Sequence, residues 1–249
     1  MAGHSKWAQI KHKKAATDAE RGRQFGKLAR DITMAARAGG ENPDANPRLR
    51  SAMDRARAAG MPKDNILRAI NRSLGTADNL VEFLLEALAP DEVILLIEGA
   101  TDNKNRALAE IKAVLAEYDA RIADPGSVMW NFSKMILAQA APVNPATGPE
   151  ETELAIIDSG AEDFSPSETG WTVRIPFADA ETIKRNLIER GFSVQPVGYT
   201  YAPRAVKQVA PDVRERIKRL INALRKNENV QSIHTNLAFD RQSPDHLGD

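Results

Sequence analysis

The sequence predicts an α+β protein: an N-terminal three-helix domain followed by two ferredoxin-like α/β sandwich domains, one inserted in the other. Three observations predict it. Apolar residues recur at helical spacing up to residue 75, whereas short apolar strands alternate with helices from residue 81 onward. Residues 134–205 run strand, helix, strand, strand, helix, strand, which is the ferredoxin-like order. The charge divides at the same border. Residues 1–75 carry 16 Lys and Arg against 7 Asp and Glu, whereas residues 76–137 carry 5 against 11 and residues 138–205 carry 5 against 10. Residues 206–249 return to 8 against 6, so a net charge of zero conceals a basic end joined to an acidic body.

In the basic part, Met1 to Thr17 has no acidic residue and no apolar periodicity, and reads as a mobile arm. It carries His4, Lys6, Trp7, Lys11, His12, Lys13 and Lys14. Thr17 to Glu20 fits a capping box, which predicts a helix from there to about Ala38, stopped by Gly39 and Gly40. Phe25, Leu28, Ile32 and Ala35 cluster on one side of that helix, and Arg23, Lys27, Arg30 and Arg37 form a cationic stripe on the other. Reversing those four charges is therefore expected to leave stability nearly unchanged.

Asn46-Pro47 supplies an N-cap and a proline at the first position of a second helix ending at Gly60. Leu49, Ala52, Met53 and Ala56 face inward, leaving Arg48, Arg50, Arg55 and Arg57 outside. Pro62 opens a third helix, closed by Gly75, with Ile66, Leu67, Ile70 and Leu74 inward and Lys63, Arg68 and Arg72 outward. The planar fork of arginine suits phosphate.

In the inserted domain, 134–205, Met135 to Ala141 is a strand and Glu150 to Gly160 a helix with Leu154, Ile156 and Ile157 inside. Two strands follow around Ser165 to Gly170, then a helix from Asp179 to Arg190 and a strand from Phe192 to Tyr201. Trp171 and Phe177 share a face and read as core, so this sheet lacks the paired aromatics of an RNA-recognition motif.

The surrounding domain is discontinuous, 76–133 and 206–240. Val81 to Leu88, Glu92 to Gly99 and Val128 to Phe132 read as strands around a helix from Asn103 to Tyr118. A strand Val206 to Val209, a helix Pro211 to Lys226 and a strand Val230 to Phe239 complete it, and residues 241–249 form a flexible tail.

The absence of cysteine excludes a disulfide framework, a zinc ribbon, an iron–sulfur cluster and a thiol nucleophile. His4, His12, His234 and His246 stand at no metal-binding spacing, and no Walker loop, GxSxG or GxGxxG occurs. Asp102 reads as a helix cap rather than a catalytic acid. No cofactor, metal or catalytic constellation is expected, and the protein reads as no enzyme. No apolar run approaches the ~20 residues of a membrane span, and Met1 leads into lysines rather than an apolar stretch. The expected compartment is the cytoplasm.

Several motifs carry a family resemblance. The opening MAGHSKWAQIKHKKAATDAERG, then NPRLR (Asn46 to Arg50) and MPKDNI (Met61 to Ile66), resemble the YebC family. So do TDNKNR (Thr101 to Arg106), GSVMWNF (Gly126 to Phe132), SGAEDF (Ser159 to Phe164) and VQSIHTN (Val230 to Asn236), covering essentially the full length. The resemblance implies three domains, no enzyme activity, and either transcriptional regulation or relief of ribosome stalling on proline-containing stretches. Where that family has a Y-G-P-G-G turn, this chain has Leu88-Ala89-Pro90-Asp91-Glu92, without the glycines' backbone freedom and with two added charges.

The expected function is a non-enzymatic, ribosome-associated translational activator binding ribosomal RNA through the basic residues named above. A DNA-binding transcriptional regulator is the alternative. No membrane or small-molecule partner is expected, and the chain is expected to act as a monomer.

Overall fold

The computed structural model describes residues 3–73, 80–144, 148–167 and 170–238, with residues 3–19 through their backbone alone. The tail 241–249, His246, Leu74 and Gly75 lie outside the described residues. The elements run α1 (Gly3–Gly39), α2 (Pro47–Ala58), α3 (Lys63–Arg72), β1 (Val81–Ala89), β2 (Val93–Thr101), α4 (Lys104–Glu117) and β3 (Arg121–Ile122). They continue β4 (Phe132–Pro142), α5 (Pro149–Asp158), β5 (Asp163–Ser167), β6 (Gly170–Pro176), α6 (Ala180–Glu189), β7 (Phe192–Pro203), α7 (Pro211–Arg225) and β8 (Val230–Thr235). The α+β class holds: an N-terminal helical region precedes two four-stranded sheets.

The mobile arm is corrected. α1 begins at Gly3, and Thr17 to Glu20 lies inside it rather than at its start. No proline interrupts residues 3–39, and the Ala- and Lys-rich run between Lys6 and Ala16 has high helix propensity, so nothing in the backbone stops the helix at Thr17. Its end falls as expected, with Gly40 at a φ of 86°.

Ile32, Ala35 and Ala36 of α1 pack with Leu49, Ala52, Met53 and Ala56 of α2 and with Ile66, Ala69 and Ile70 of α3. Asn46 fastens the corner. Its Oδ1 accepts the N–H of Leu49 at 3.0 Å, while its Nδ2 donates to the carbonyls of Ala35 at 2.8 Å and Gly40 at 2.7 Å. One buried amide thus caps the start of α2 and satisfies carbonyls at the end of α1. Leu67, expected inside, is 45 % exposed because Ile66, Ala69 and Ile70 already fill the inward side of α3.

The second sheet has the order β5-β6-β4-β7. Taking β4 to β7 as first to fourth strands, this reads second, third, first, fourth, the ferredoxin-like arrangement. β4 pairs antiparallel with both β6 and β7, for example Ile136 with Ile175 and with Tyr199. Ala138, Ala140, Val173 and Ile175 of this sheet pack with Ile156 of α5 and Ile183 and Leu187 of α6. Trp171 joins that core edge-on to Phe164 at 5.4 Å. Phe177 does not join it. It lies in the 3-10 turn after β6 and is 57 % exposed. Leu154 and Ile157, also expected inside, are exposed, because α5 approaches its sheet through Thr152, Ala155 and Ile156.

The first sheet has the order β3-β1-β2-β8. It repeats the same arrangement with β2, β3 and β8 as first, second and fourth strands. β1, which precedes them all in the chain, occupies the third place. Two expected strands are therefore absent. Residues 206–209 contribute only a single parallel bridge, Lys207 with Leu237. Residues 129–131 form a 3-10 turn, because the Glu86 carboxylate takes backbone N–H groups that a strand would need for pairing. Glu86 is buried and accepts from Gly126, from Val128 at 2.7 Å and from Met129 at 2.9 Å. Helix α4 is capped by Asn103, whose Oδ1 accepts the N–H of Arg106 at 3.1 Å. Asp102, expected as the cap, instead pairs with the Arg106 guanidinium at 3.1 Å.

The chain forms two compact units, one of Met1–Leu84, Glu98–Tyr118 and Lys218–Ser232, the other of Leu85–Ile97, Asp119–Ile217 and Ile233–Asp249. In the first, the backbone of Asn229 closes against β2, its carbonyl accepting the N–H of Ala100 at 3.0 Å. A Cβ at Gly99 would collide with that carbonyl and with the Phe83 ring.

Candidate nucleic-acid interface

Every candidate cation with a described side chain lies in the first compact unit, and the structure sorts them by what they touch. Lys27 and Arg30 are not presented freely. Lys27 donates to the carbonyl of Arg225, the last residue of α7. Arg30 donates to the carbonyl of Glu228 and lies 3.4 Å from its carboxylate. The carbonyls at a helix C-terminus lack intrahelical donors and carry the negative end of the helix dipole, so two cations of α1 satisfy the end of α7 and the turn after it. Burial, together with the Arg225 and Arg30 cations, lowers the Lys27 ammonium to about 8 against the opposing pull of Asp31. Burial pushes the Asp31 carboxyl up, although Arg55, Arg48 and Lys27 draw it down. The Asp31 Oδ1 accepts from Gln231 Nε2 at 2.7 Å, and Arg55 stands 3.8 Å from its other oxygen.

The α2 arginines are engaged as well. Arg48 reaches Glu82 at 3.4 Å, and Arg57 pairs with Asp54 at 2.6 Å. Arg50 donates to the carbonyls of Pro43 at 3.1 Å and Asp44 at 2.9 Å, bracing the loop before α2. Arg55 also reaches Ser51 Oγ at 3.1 Å. These pairs are at least partly exposed and individually weak, so a polyanion can compete for their cations. Arg37 and Arg72 also have partners within the chain.

Arg23, Lys63 and Arg68 differ. All three are exposed and make no ion pair or hydrogen bond among the described residues. An open groove of about 340 Å³ lies between α2 and α3, floored by Met53, Met61, Ile66 and Leu67 and rimmed by Arg57 and Lys63. The side chains of His4, Lys6, Trp7, Lys11, His12, Lys13 and Lys14 lie outside the description; their backbone is helical.

Sequence reasoning missed part of this surface. Arg21, over the Phe25 ring at 5.2 Å, extends the exposed side of α1. Arg219 on α7 and Lys226, just after its end, are exposed in the same unit. The signal was present, since Lys218 to Lys226 holds four cations and no acid, but the balance of residues 206–249 diluted it. His234 is no ligand candidate: its ring meets Thr200 Oγ1 at 3.3 Å and lies edge-on to Tyr201. No group of three or more His, Asp or Glu able to hold a metal ion occurs among the described residues, and none of the helices they form is long and apolar enough to cross a membrane.

Comparison with known proteins gives the chain its relatives. Residues 5–76 match the TACO1/YebC protein N-terminal domain, and residues 80–237 match the TACO1/YebC second and third domain. A protein of Thermosipho melanesiensis named "probable transcriptional regulatory protein" is 39 % identical over 242 residues, covering 96 % of this chain and 95 % of that one. A protein of the same name from Prosthecochloris aestuarii is 36 % identical over 250 residues, covering 99 % of each. The crystal structure of a conserved hypothetical protein from Aquifex aeolicus superposes with a TM-score of 0.71 at 32 % identity, covering 95 % of this chain and 99 % of that one.

Proposed function

We propose, on the premise that this chain belongs to the TACO1/YebC family, that it is a non-enzymatic regulator of gene expression that works by binding nucleic acid. Specifically, it is a cytoplasmic, ribosome-associated translational activator that binds ribosomal RNA and relieves stalling at proline-rich stretches. The observation that carries it is the set of exposed cations Arg23, Lys63 and Arg68, which no carboxylate of the described chain neutralises. Cations that have no partner among the described residues, on helices with a packed inner side, are available to an outside polyanion, and phosphate contacts of this kind supply affinity without reading sequence.

A second reading, a DNA-binding transcriptional regulator, is favoured by the names of the relatives and by the short turn between α2 and α3. The exposed residues of α3 include Lys63, Arg68 and Arg72, which can hold phosphates of either nucleic acid without reading sequence.

Sedimentation of the full chain with ribosomal particles tests the first reading. The protein should travel with the particles at 50 mM salt and leave them at 200 mM, since about six phosphate contacts imply a loss of roughly 10³-fold over that range. Removing residues 2–14 should weaken this association only in part while abolishing synthesis of a polyproline reporter. Sedimentation apart from the particles, with tight binding to duplex DNA, would favour the second reading.

A further inference from the structure

Helix α5 carries a surface that the nucleic-acid reading leaves unused. Leu154 and Ile157 are 61 % and 54 % exposed, although Ile156 beside them is fully buried. At 100° per residue the two exposed side chains lie about 60° apart, with Glu150 between them. Glu153 lies on one flank of this stripe, and Glu151 and Asp158 lie on the other. The helix has no cation. An apolar pair with one carboxylate between its members and others on both flanks, turned away from its own core, is the complement of a helix bearing leucines on one face and lysines or arginines among and beside them.

We infer that α5 is a docking surface for a cationic amphipathic helix of a protein partner. Its apolar anchors rest on Leu154 and Ile157, and its flanking cations meet Glu151, Glu153 and Asp158. The charge decides the class of occupant. A nucleic acid would bring phosphates against four carboxylates, whereas a cationic helix gains from them on both sides. Burial of the two apolar side chains supplies the part of the affinity that salt does not screen.

The test uses the full chain and two labelled 18-residue peptides of leucine and lysine with equal composition. One has leucines at i, i+3, i+4 and i+7; the other has the same residues in an order without helical amphipathicity. The first should bind more tightly, measured by fluorescence anisotropy at 150 mM salt. The double variant Leu154→Ser/Ile157→Ser should weaken it at least tenfold with an unchanged melting temperature. Glu151→Gln/Glu153→Gln, which keeps the apolar pair, should weaken it about fivefold and flatten its salt dependence. Equal binding of the two peptides, or no change in either variant, would overturn the inference. So would a dimer in analytical ultracentrifugation that the double serine variant dissociates, since the occupant would then be a second copy of this chain. Binding of single-stranded RNA that is lost in the double serine variant would also overturn it.

Discussion

Arg30 of α1 lies 3.4 Å from the carboxylate of Glu228 and donates to the carbonyl of the same residue. Its side chain is only 20 % exposed, so this cation of the expected stripe belongs to the structure of the unit before it can serve any partner. Lys27, one turn earlier, does the same for Arg225.

The stripe therefore divides into two experiments. Arg30→Ala should cost about 1–2 kcal/mol in denaturant unfolding, because it removes charge-assisted hydrogen bonds and leaves the Glu228 carboxylate without its partner. Arg23→Glu, Lys63→Glu and Arg68→Glu should each stay within about 0.5 kcal/mol of the parent. Combined, those three should flatten the salt dependence of RNA binding by roughly three logarithmic slope units if each meets a phosphate. A stable Arg30 variant, or an unaltered salt slope in the triple variant, would reverse the division. The expectation that reversing all four stripe charges spares stability is withdrawn on these contacts.

Lys27 adds a pH dependence of known sign. Its ammonium is lowered to about 8 in the folded chain from 10.5 in the unfolded one. Between these values the unfolded chain holds the proton more firmly than the folded one, so stability rises with pH. The charged form is unfavourable below about 8, and that penalty is relieved as pH rises toward 10.5. Unfolding free energies of the parent and Lys27→Met, measured from pH 7 to 10, should show the parent gaining on the variant with increasing pH. Parallel curves would mean that Lys27 keeps its proton throughout.

These contacts mark where the sequence stops being legible. Asn46-Pro47 announced its helix start because capping is settled within four residues, and Asn46 does accept from Leu49. Thr17 to Glu20 matched the same kind of local pattern inside a continuous helix, because a capping box does not record whether the preceding turns are also helical. Lys27 and Arg225 stand 198 positions apart, and no local rule pairs them. Leu154 and Ile157 failed for another reason, whereas Ile156 is buried as expected. A ten-residue helix with apolar groups on two sides can bury either, and the packing of Thr152, Ala155 and Ile156 chose one. The strand expected at Val128 to Phe132 was lost to Glu86, about forty residues upstream, whose carboxylate outcompetes a pairing partner for those N–H groups.

The turn between β1 and β2 supplies a stabilising prediction. Asp91 has φ 56° and ψ 33°, and Glu92 has φ 59°, both in the left-handed region that favours glycine. The resemblance to a glycine-rich turn thus has a physical content, since the backbone keeps a glycine conformation with other residues in it. Asp91→Gly/Glu92→Gly relieves about 1 kcal/mol per residue of steric cost and returns roughly half of it as unfolded-chain entropy. The Glu92 pair with Lys207 at 2.9 Å is lost, but a carboxylate this exposed contributes little. Thermal unfolding should show a net gain of about 1 kcal/mol. A loss of stability would mean that the Lys207 contact outweighs the strain.

Glu86 provides the sharpest test of the fold itself. Burial alone would raise its carboxyl, yet the backbone N–H groups of Gly126, Val128 and Met129 together hold it below the usual value of 4.5. The carboxylate is what keeps residues 126–131 in a turn, and Trp130, 68 % exposed with its indole N–H donating to Ser127 at 2.9 Å, stands on that turn. Glu86→Ala leaves three donors without an acceptor and should cost about 2–4 kcal/mol. Glu86→Gln keeps the shape but replaces one oxygen with a second donor, so it should cost nearly as much. The folded value lies below the unfolded one, so the contribution is fully present above about pH 4.5 and is lost as pH falls through the folded value. The stability difference between the parent and Glu86→Gln should therefore be constant from pH 6 to 7 and shrink below pH 4.5. Trp130 emission should shift in the variant at neutral pH if the turn relaxes. A difference that persists unchanged to pH 3, or a variant as stable as the parent at pH 7, would show that the turn is held by something other than this carboxylate.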